Sequence, residues 1–255
     1  MRNYLIIDGV SSISFGVFIS GNGTFTSPVK KYEEVEIPGR NGKLLMNTEP
    51  IFDNVDVTYN SFAFEDSAKD YPKVAKLYSA DAYYRTFGEQ LGALRAFLNS
   101  REGYFRLEDS YNPEEYRMAY YAKAFTPTVN RNLKAAEFPL VFTCKPQRFL
   151  KTGEMPIDYT SSSTIVNPYL FKSKPLIRAY GTGYFTISGV KVTIKAANGY
   201  TDIDCEAMEC YKDTVNCNNN VVLDNGVFPV LKPGDNAITM SGITKLTITP
   251  RWWTI

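Results

Sequence analysis

Apolar and polar residues alternate along one stretch after another of this chain, and a period of two dictates strands. Val35 and Ile37 alternate with glutamates, and Val55, Val57 and Tyr59 alternate with polar residues. Tyr104–Leu107, Ala119–Phe125 and Phe138–Phe142 are further strand candidates. One stretch breaks the rule. In TFGEQLGALRAFLNS, residues 86–100, Phe87, Leu91, Leu94 and Leu98 step by 4, 3 and 4 and share one helical face. Thr86 and Glu89 form a capping box at its start, and Gly103 is a stop signal beyond its end. A second, weaker helix is expected over 67–79. A single amphipathic helix must bury its stripe on a sheet, so the first half reads as mostly β with one firm helix.

Residues 145–168, KPQRFLKTGEMPIDYTSSSTIVNP, change character with three prolines and a Ser/Thr cluster, as a linker or crossing segment does. Beyond them come turn signals at Ser188-Gly189, Asn198-Gly199, Asn218–Asn220, Asn225-Gly226, Pro233-Gly234 and Ser241-Gly242. Between them lie YFTIS, VKVTIKA, VVLD, NAITM and KLTITP, with no helical period. That spacing predicts a small all-β sandwich or jelly roll. Arg251, Trp252 and Trp253 end its last strand as a core or inter-domain plug. The expected division is a first domain over 1–146, a crossing segment over 147–164 and a β-sandwich over 165–255.

The residue inventory closes off several chemistries. The chain carries 28 basic and 27 acidic side chains, 18 of each within residues 1–150, so no basic stripe exists for phosphate neutralisation. No apolar run reaches the roughly 18 residues of a membrane span. The start, MRNYLIIDGVSS, has its apolar patch broken by Asp8 and reads as a first strand rather than a secretory signal. Histidine is absent, which removes Ser-His-Asp and Cys-His catalysis and the HExxH zinc site. Cys144, Cys205, Cys210 and Cys217 are separated by 61, 5 and 7 positions, without a CxxC pair. Three of them lie within 13 residues and could bind metal or pair; with no export signal, reduced thiols acting as small buried hydrophobes are expected. Asp202, Asp204 and Glu206 alternate toward one face, a pattern able to hydrolyse glycosides or hold calcium. Glu33-Glu34 and Glu114-Glu115 look alike, and such runs read as solvated faces. No cofactor is expected.

Residues 36–43, EIPGRNGK, raise the question of a phosphate loop. A Walker loop needs glycines five apart followed by Lys and then Ser or Thr; here Gly39 and Gly42 are three apart and Lys43 precedes Leu44. No helix opens there to offer its amides. Asn41-Gly42, flanked by alternating apolar positions, instead predicts a hairpin turn.

Several segments in order carry a resemblance. The first half has the IIDGV start, Gly16-Val17, IPGRNG at 37–42, the long helix, YFRLEDSYNPEEYRMAYYA at 104–122 and FPLVFTCKPQRF at 138–149. The second half has NPYLFKSKPLIRAYGTGYFTI at 167–187, FPVLKPGDNAI at 228–238 and the terminal TPRWW. Together they resemble the distal tail (Dit) proteins of long-tailed bacteriophages that infect Gram-positive bacteria. The resemblance implies a non-enzymatic virion protein that forms a homohexameric hub ring at the end of the tail. A ring-forming N-terminal β-sandwich domain with a belt hairpin, about residues 28–59, is implied, followed by a galectin-like β-sandwich. Implied partners are the tail tube protein, the tail-associated fibre or lysin protein, and receptor-binding or other baseplate proteins. The belt would place Val35, Ile37, Pro38, Gly39, Arg40, Asn41, Gly42, Lys43 and Leu44 at a subunit interface. Assembly would take place in the bacterial cytoplasm.

Departures bear on the alternatives. Galectins bind sugar through a His-x-Asn-Pro-Arg run and a Trp-x-x-Glu, whereas this chain has Asn167-Pro168-Tyr169, no histidine, and tryptophans only at its end. The roughly ninety residues past the crossing leave no room for an inserted carbohydrate-binding module. A lectin-like carbohydrate-binding module of a phage or bacterial surface apparatus is the alternative reading, motivated by the sandwich and the tyrosines. A hydrolase working through paired acids is a third.

Overall fold

The computed structural model describes residues 2–21, 23–46, 50–64, 87–130 and 135–255. The expected helix over 67–79 and the Thr86 half of the capping box lie outside the described residues, as does the Phe87 side chain. The chain divides into two compact units, residues 1–148 with Ile255, and residues 149–254.

In the first unit, β1 (Leu5–Ile7), β2 (Val10–Ser11) and β3 (Val17–Ile19) precede a projecting hairpin. Asp8 and Gly9 join β1 to β2 with φ of 49° and 79°, a two-residue turn of the type that matches strand twist. The hairpin is built from β4 (Lys30–Lys31), β5 (Glu34–Glu36), β6 (Lys43–Leu45) and β7 (Ile51–Phe52). After it come β8 (Val55–Phe64), α1 (Phe87–Asn99), β9 (Phe105–Asp109), β10 (Glu115–Tyr120), β11 (Thr128–Asn130) and β12 (Ala135–Leu150). The main sheet runs in the order β2-β1-β9-β10-β12-β8-β3, with β11 also on β12.

Its inner face is written in the alternation: Val55, Val57 and Tyr59 of β8 are buried while Asp56 and Thr58 face out. Opposite them in register stand Cys144, Phe142 and Leu140 of β12, all buried. Leu91, Leu94 and Leu98 of α1 join the same core, as the helical spacing requires, together with Phe97. Each such side chain contributes about 1.5–3 kcal/mol by leaving water. Phe97 sits 5.1 Å from Phe15, ring centre to ring centre. Gln90 shares the buried face because its Nε2 donates to the Phe15 and Gly16 carbonyls at 2.7 and 3.1 Å. The helix ends on side chains rather than on glycine: Asn99 Nδ2 donates to the Arg95 carbonyl and Ser100 Oγ to that of Phe97, both at 2.8 Å. The strand expected at Ala119–Phe125 lies earlier, and Phe125 packs into the core from beyond it.

The second unit contains β13 (Ile157–Tyr159), β14 (Ser163–Asn167), β15 (Leu176–Ile187), β16 (Val190–Ile194) and β17 (Tyr200–Asp204). It continues with β18 (Glu209–Lys212), β19 (Val215–Asn216), β20 (Val221–Leu223), β21 (Gly234–Thr249) and β22 (Trp253–Thr254). The segment expected as a crossing, 147–164, contains the boundary between the two units at 148/149, and it also holds the end of β12, a 3-10 turn at Lys151–Glu154, β13 and the start of β14. Within it β13 and β14 pair along β21, so the prolines and serines punctuate short strands.

Two long strands organise this sandwich. The first half of β15 pairs with β17 and its second half with β16, while β21 pairs along the whole of β15. The register shifts between Tyr180 and Phe185, where Gly181, Gly183 and Gly242 have φ of 97°, 149° and 76°. Ser241-Gly242, expected as a turn between two strands, is thus a bulge inside one strand. Residues on either side of the bend share one core: Ile177, Ala179, Leu246 and Ile248 with Phe185, Ile187, Val192 and Ile238. Ser188-Gly189 does make the expected tight turn, with φ of 51° and 85°. Trp252 is buried in this same core.

Candidate assembly interface

The hairpin between the first strands and β8 is the segment that the fold's own core does not explain. Among the described residues β4 pairs only with β7 and β5 only with β6, as two separate two-stranded ladders. Asp53 N–H to the Val29 carbonyl at 3.0 Å closes its base, and Met46 N–H to the Glu33 carbonyl at 2.9 Å continues it outward. The arm is shorter than the expected 28–59, because Val55, Val57 and Tyr59 already belong to the core.

Each expected interface residue has a definite place. Val35 pairs with Leu44 across the outer ladder, and Lys43 pairs with Glu36. Lys43 Nζ also lies 2.6 Å from Glu34 Oε2, and Lys31 Nζ lies 2.5 Å from Asp53 Oδ1. Both ion pairs are solvated and worth about 0–1 kcal/mol. Ile37, Pro38, Gly39, Arg40, Asn41 and Gly42 form the tip. There the Arg40 N–H donates to the Ile37 carbonyl at 3.1 Å, and Gly39 has φ of 80°. Proline second and a left-handed glycine third define a type II turn. The expected hairpin turn is present in the 37–42 loop between β5 and β6; within it Gly42 has φ of 79°, but Asn41 is not left-handed, and the tight turn falls at Pro38-Gly39. Among the described residues, a side chain added at Gly39 or Gly42 would meet no atom within 4 Å.

The arm is apolar where it should be wet. Val29 is 70% exposed, Ile51 54%, Leu45 53%, Met46 52% and Tyr32 49%, with Val35 and Ile37 also exposed. Phe25, in the extended lead to β4, is 94% exposed. Val29, Tyr32, Leu45, Met46 and Ile51 thus join the exposed apolar set beyond the tip residues that the sequence places at the interface. Their signal in the sequence was weaker, since only Val35 and Ile37 alternate strictly, while Leu44, Leu45 and Met46 are consecutive.

The other candidate groups are committed to the fold. Arg178 Nε and Nη2 hold Asp202 at 2.7 and 2.9 Å across the β15–β17 ladder. Arg251 holds Asp204 in the same two-pronged manner, and the Glu206 and Ala207 N–H groups donate to Asp204 Oδ1. Arg251, with these backbone donors, keeps the Asp204 carboxyl below the usual range, the opposite of what a general acid needs. Asn167 is buried: its Nδ2 donates to the Phe171 and Leu231 carbonyls, and its Oδ1 accepts from Tyr169 N–H. Trp253 stacks on Phe171 at 4.4 Å and donates through Nε1 to the Lys172 carbonyl. All four cysteines are free thiols; Cys144, Cys205 and Cys210 are buried, and burial pushes them up to about 12, 12 and 11. Among the described residues no cluster of three or more His, Cys, Asp or Glu could hold a metal ion, and no helix is long and apolar enough to cross a membrane.

Neither a protein-family model nor a curated protein matches the sequence. Solved structures do. Two structures of the phage P2 baseplate in its activated conformation, one with Ca and one with Sr, align over 97% of this chain and 97% of theirs, at 8% identity and TM-scores of 0.46 and 0.47. The crystal structure of the Dit protein of phage SPP1, a hub of the adsorption apparatus in phages infecting Gram-positive bacteria, aligns over 97% of this chain and 98% of its own. At a TM-score of 0.69 and 13% identity, this chain has the fold of a phage distal tail (Dit) protein.

Proposed function

We propose that this chain is a distal tail protein, a non-enzymatic hub that assembles as a homohexameric ring at the end of a phage tail. The observation that carries the reading is the arm: two short ladders with apolar side chains on show and, among the described residues, no core of their own, on a chain with a Dit fold. A two-stranded ribbon is marginal in water and gains stability when a partner surface covers its apolar side chains. A ring needs two different patches per subunit, one meeting the other head to tail. The arm is one patch, lying across the neighbouring subunit with Val35, Ile37, Arg40 and Leu44 in contact. The tail tube protein on one side, and a tail-associated fibre or lysin protein on the other, complete the setting in the virion; receptor-binding or baseplate proteins attach around it. The second unit is a galectin-like sandwich in this reading, without sugar binding through Asn167.

Light scattering and negative-stain imaging of the purified chain test this. Rings of six times 28.8 kDa are expected, forming from monomer as concentration rises. Arg40→Glu, or deletion of residues 36–45, should leave a folded monomer. A wild type that stays monomeric at all concentrations overturns the ring, and a deletion variant that still forms hexamers overturns the arm's role in it.

A further inference from the structure

Cys205, Cys210 and Cys217 are the one sequence cluster that the hub does not use. The β18–β19 hairpin fixes how they relate. Tyr211 pairs with Asn216 and Lys212 with Val215, which makes Cys210 and Cys217 the next opposite pair. The paired strands end one position short of them, and a single bond ties the next position, the Cys217 N–H donating to the Cys210 carbonyl at 2.8 Å. Asn218 Oδ1 takes the Cys210 N–H at 2.6 Å and holds the corner. Directly opposite residues of an antiparallel pair project to the same face, with Cα atoms about 4.5–5.5 Å apart. A disulfide spans Cα separations of about 4.4–6.8 Å. Cys205 is placed differently. Cys210 stands opposite Ile203, and Cys205 lies in the turn beyond the end of β17, outside that ladder.

We propose that Cys210 and Cys217 are an oxidisable pair that closes the β18–β19 hairpin with a disulfide when the chain meets a small-molecule disulfide such as oxidised glutathione. Cys217 is only partly buried, and its Sγ makes a weak bond to the Val215 carbonyl at 3.5 Å. Its thiolate attacks the oxidant, one glutathione thiolate leaves, and a mixed disulfide remains on Cys217. The Cys210 thiol then loses its proton to solvent, its sulfur attacks the Cys217 sulfur, and the second glutathione leaves. Two protein thiols are oxidised and one glutathione disulfide is reduced to two thiols. Burial raises Cys210 to about 11, so this second step quickens about tenfold per pH unit below that value. The pairing depends on the hairpin alone; its occasion, release from a reducing cytoplasm into an oxidising exterior, rests on the hub reading.

The test uses the purified full chain, whatever its oligomeric state, so its outcome is independent of ring formation. After incubation with excess oxidised glutathione, thiols are counted in denaturant and alkylated digests are mapped by mass spectrometry. Two of the four thiols should vanish, with Cys210 joined to Cys217 in the same chain. Cys205→Ser should keep the link, and Cys217→Ser should lose it while its circular dichroism stays that of the wild type. Survival of all four thiols, glutathione retained on Cys217, or a link through Cys205 would each overturn the proposal.

Discussion

The guanidinium of Arg251 meets the carboxylate of Asp204 edge to edge, Nη1 to Oδ1 at 2.7 Å and Nη2 to Oδ2 at 2.8 Å. Arg251 reaches it from just beyond β21, with a left-handed backbone at φ 57°. The pair ties the end of that segment to the end of β17. Arg251 is a third exposed, which leaves the bond partly screened, and charged hydrogen bonds of this kind contribute about 1–3 kcal/mol.

Acid sensitivity follows with a definite sign. Arg251 and the backbone donors lower the Asp204 pKa in the folded state, below the roughly 3.9 of an unfolded aspartate. The stabilisation is complete above that unfolded value and is lost as pH falls through the lower folded one. Asp204→Asn should therefore be less stable than wild type near pH 7, by about 1–3 kcal/mol. The gap should close as pH drops below about 4. Denaturant titrations of both proteins between pH 7 and 3 measure it. Asp56 and Asp158 are also lowered, by Lys123 and Thr247 foremost, but both proteins share them and the difference cancels them. A gap that stays constant with pH contradicts the assignment.

The bend between β15 and β21 makes a separate demand. A Cβ on Gly242 would stand 2.6 Å from the Thr182 carbonyl oxygen, and its φ of 76° is strained for any other residue. Gly242→Ala should cost at least about 2 kcal/mol, counting backbone strain and the clash. Gly189→Ala, where a Cβ meets nothing within 4 Å, should cost only about 1 kcal/mol. Calorimetry of both variants ranks the two sites, and equal losses would count against the bend as a close backbone crossing.

These glycines also mark where the sequence was legible. Two-residue turns could be read directly: Ser188-Gly189 lies between alternating runs and behaves as its composition requires. Ser241-Gly242 has the same composition, yet β21 runs straight through it, because the neighbouring β15 bulges in step at Gly181 and Gly183. That information is held by a strand sixty residues away and not by the local window. The helix stripe was legible for the same reason as the short turns, since Leu91, Leu94 and Leu98 carry a local period. Gln90 was not, because the carbonyls it serves belong to Phe15 and Gly16. At the arm, alternation announced a hairpin correctly, but two glycines three apart left the reversal point ambiguous. The proline decided it.

Gln90 tests that long-range bond. It is 1% exposed, and its Nε2 donates to two carbonyls of the segment before β3. Gln90→Met keeps volume and helix propensity but withdraws the donor from both. Denaturant unfolding should show a loss of about 1–3 kcal/mol. An apolar swap that proved neutral would mean that solvent or another donor takes over the two carbonyls.

The arm's tip separates conformation from assembly. Gly39 has φ of 80° in the Ile37–Arg40 turn, whereas Asn41 has no positive φ. A β-branched residue at such a φ costs about 1–2 kcal/mol, a 5- to 30-fold shift between closed and open turns. Gly39→Val should accordingly raise the rate of tryptic cleavage at Arg40 about 5-fold or more in the free monomer. Asn41→Ala should leave the rate within about twofold, since no left-handed backbone is lost there. Neither variant should lower the melting temperature, because Gly39 and Asn41 are both exposed. Faster cleavage from Asn41→Ala, with Gly39→Val unchanged, would return the reversal to Asn41-Gly42.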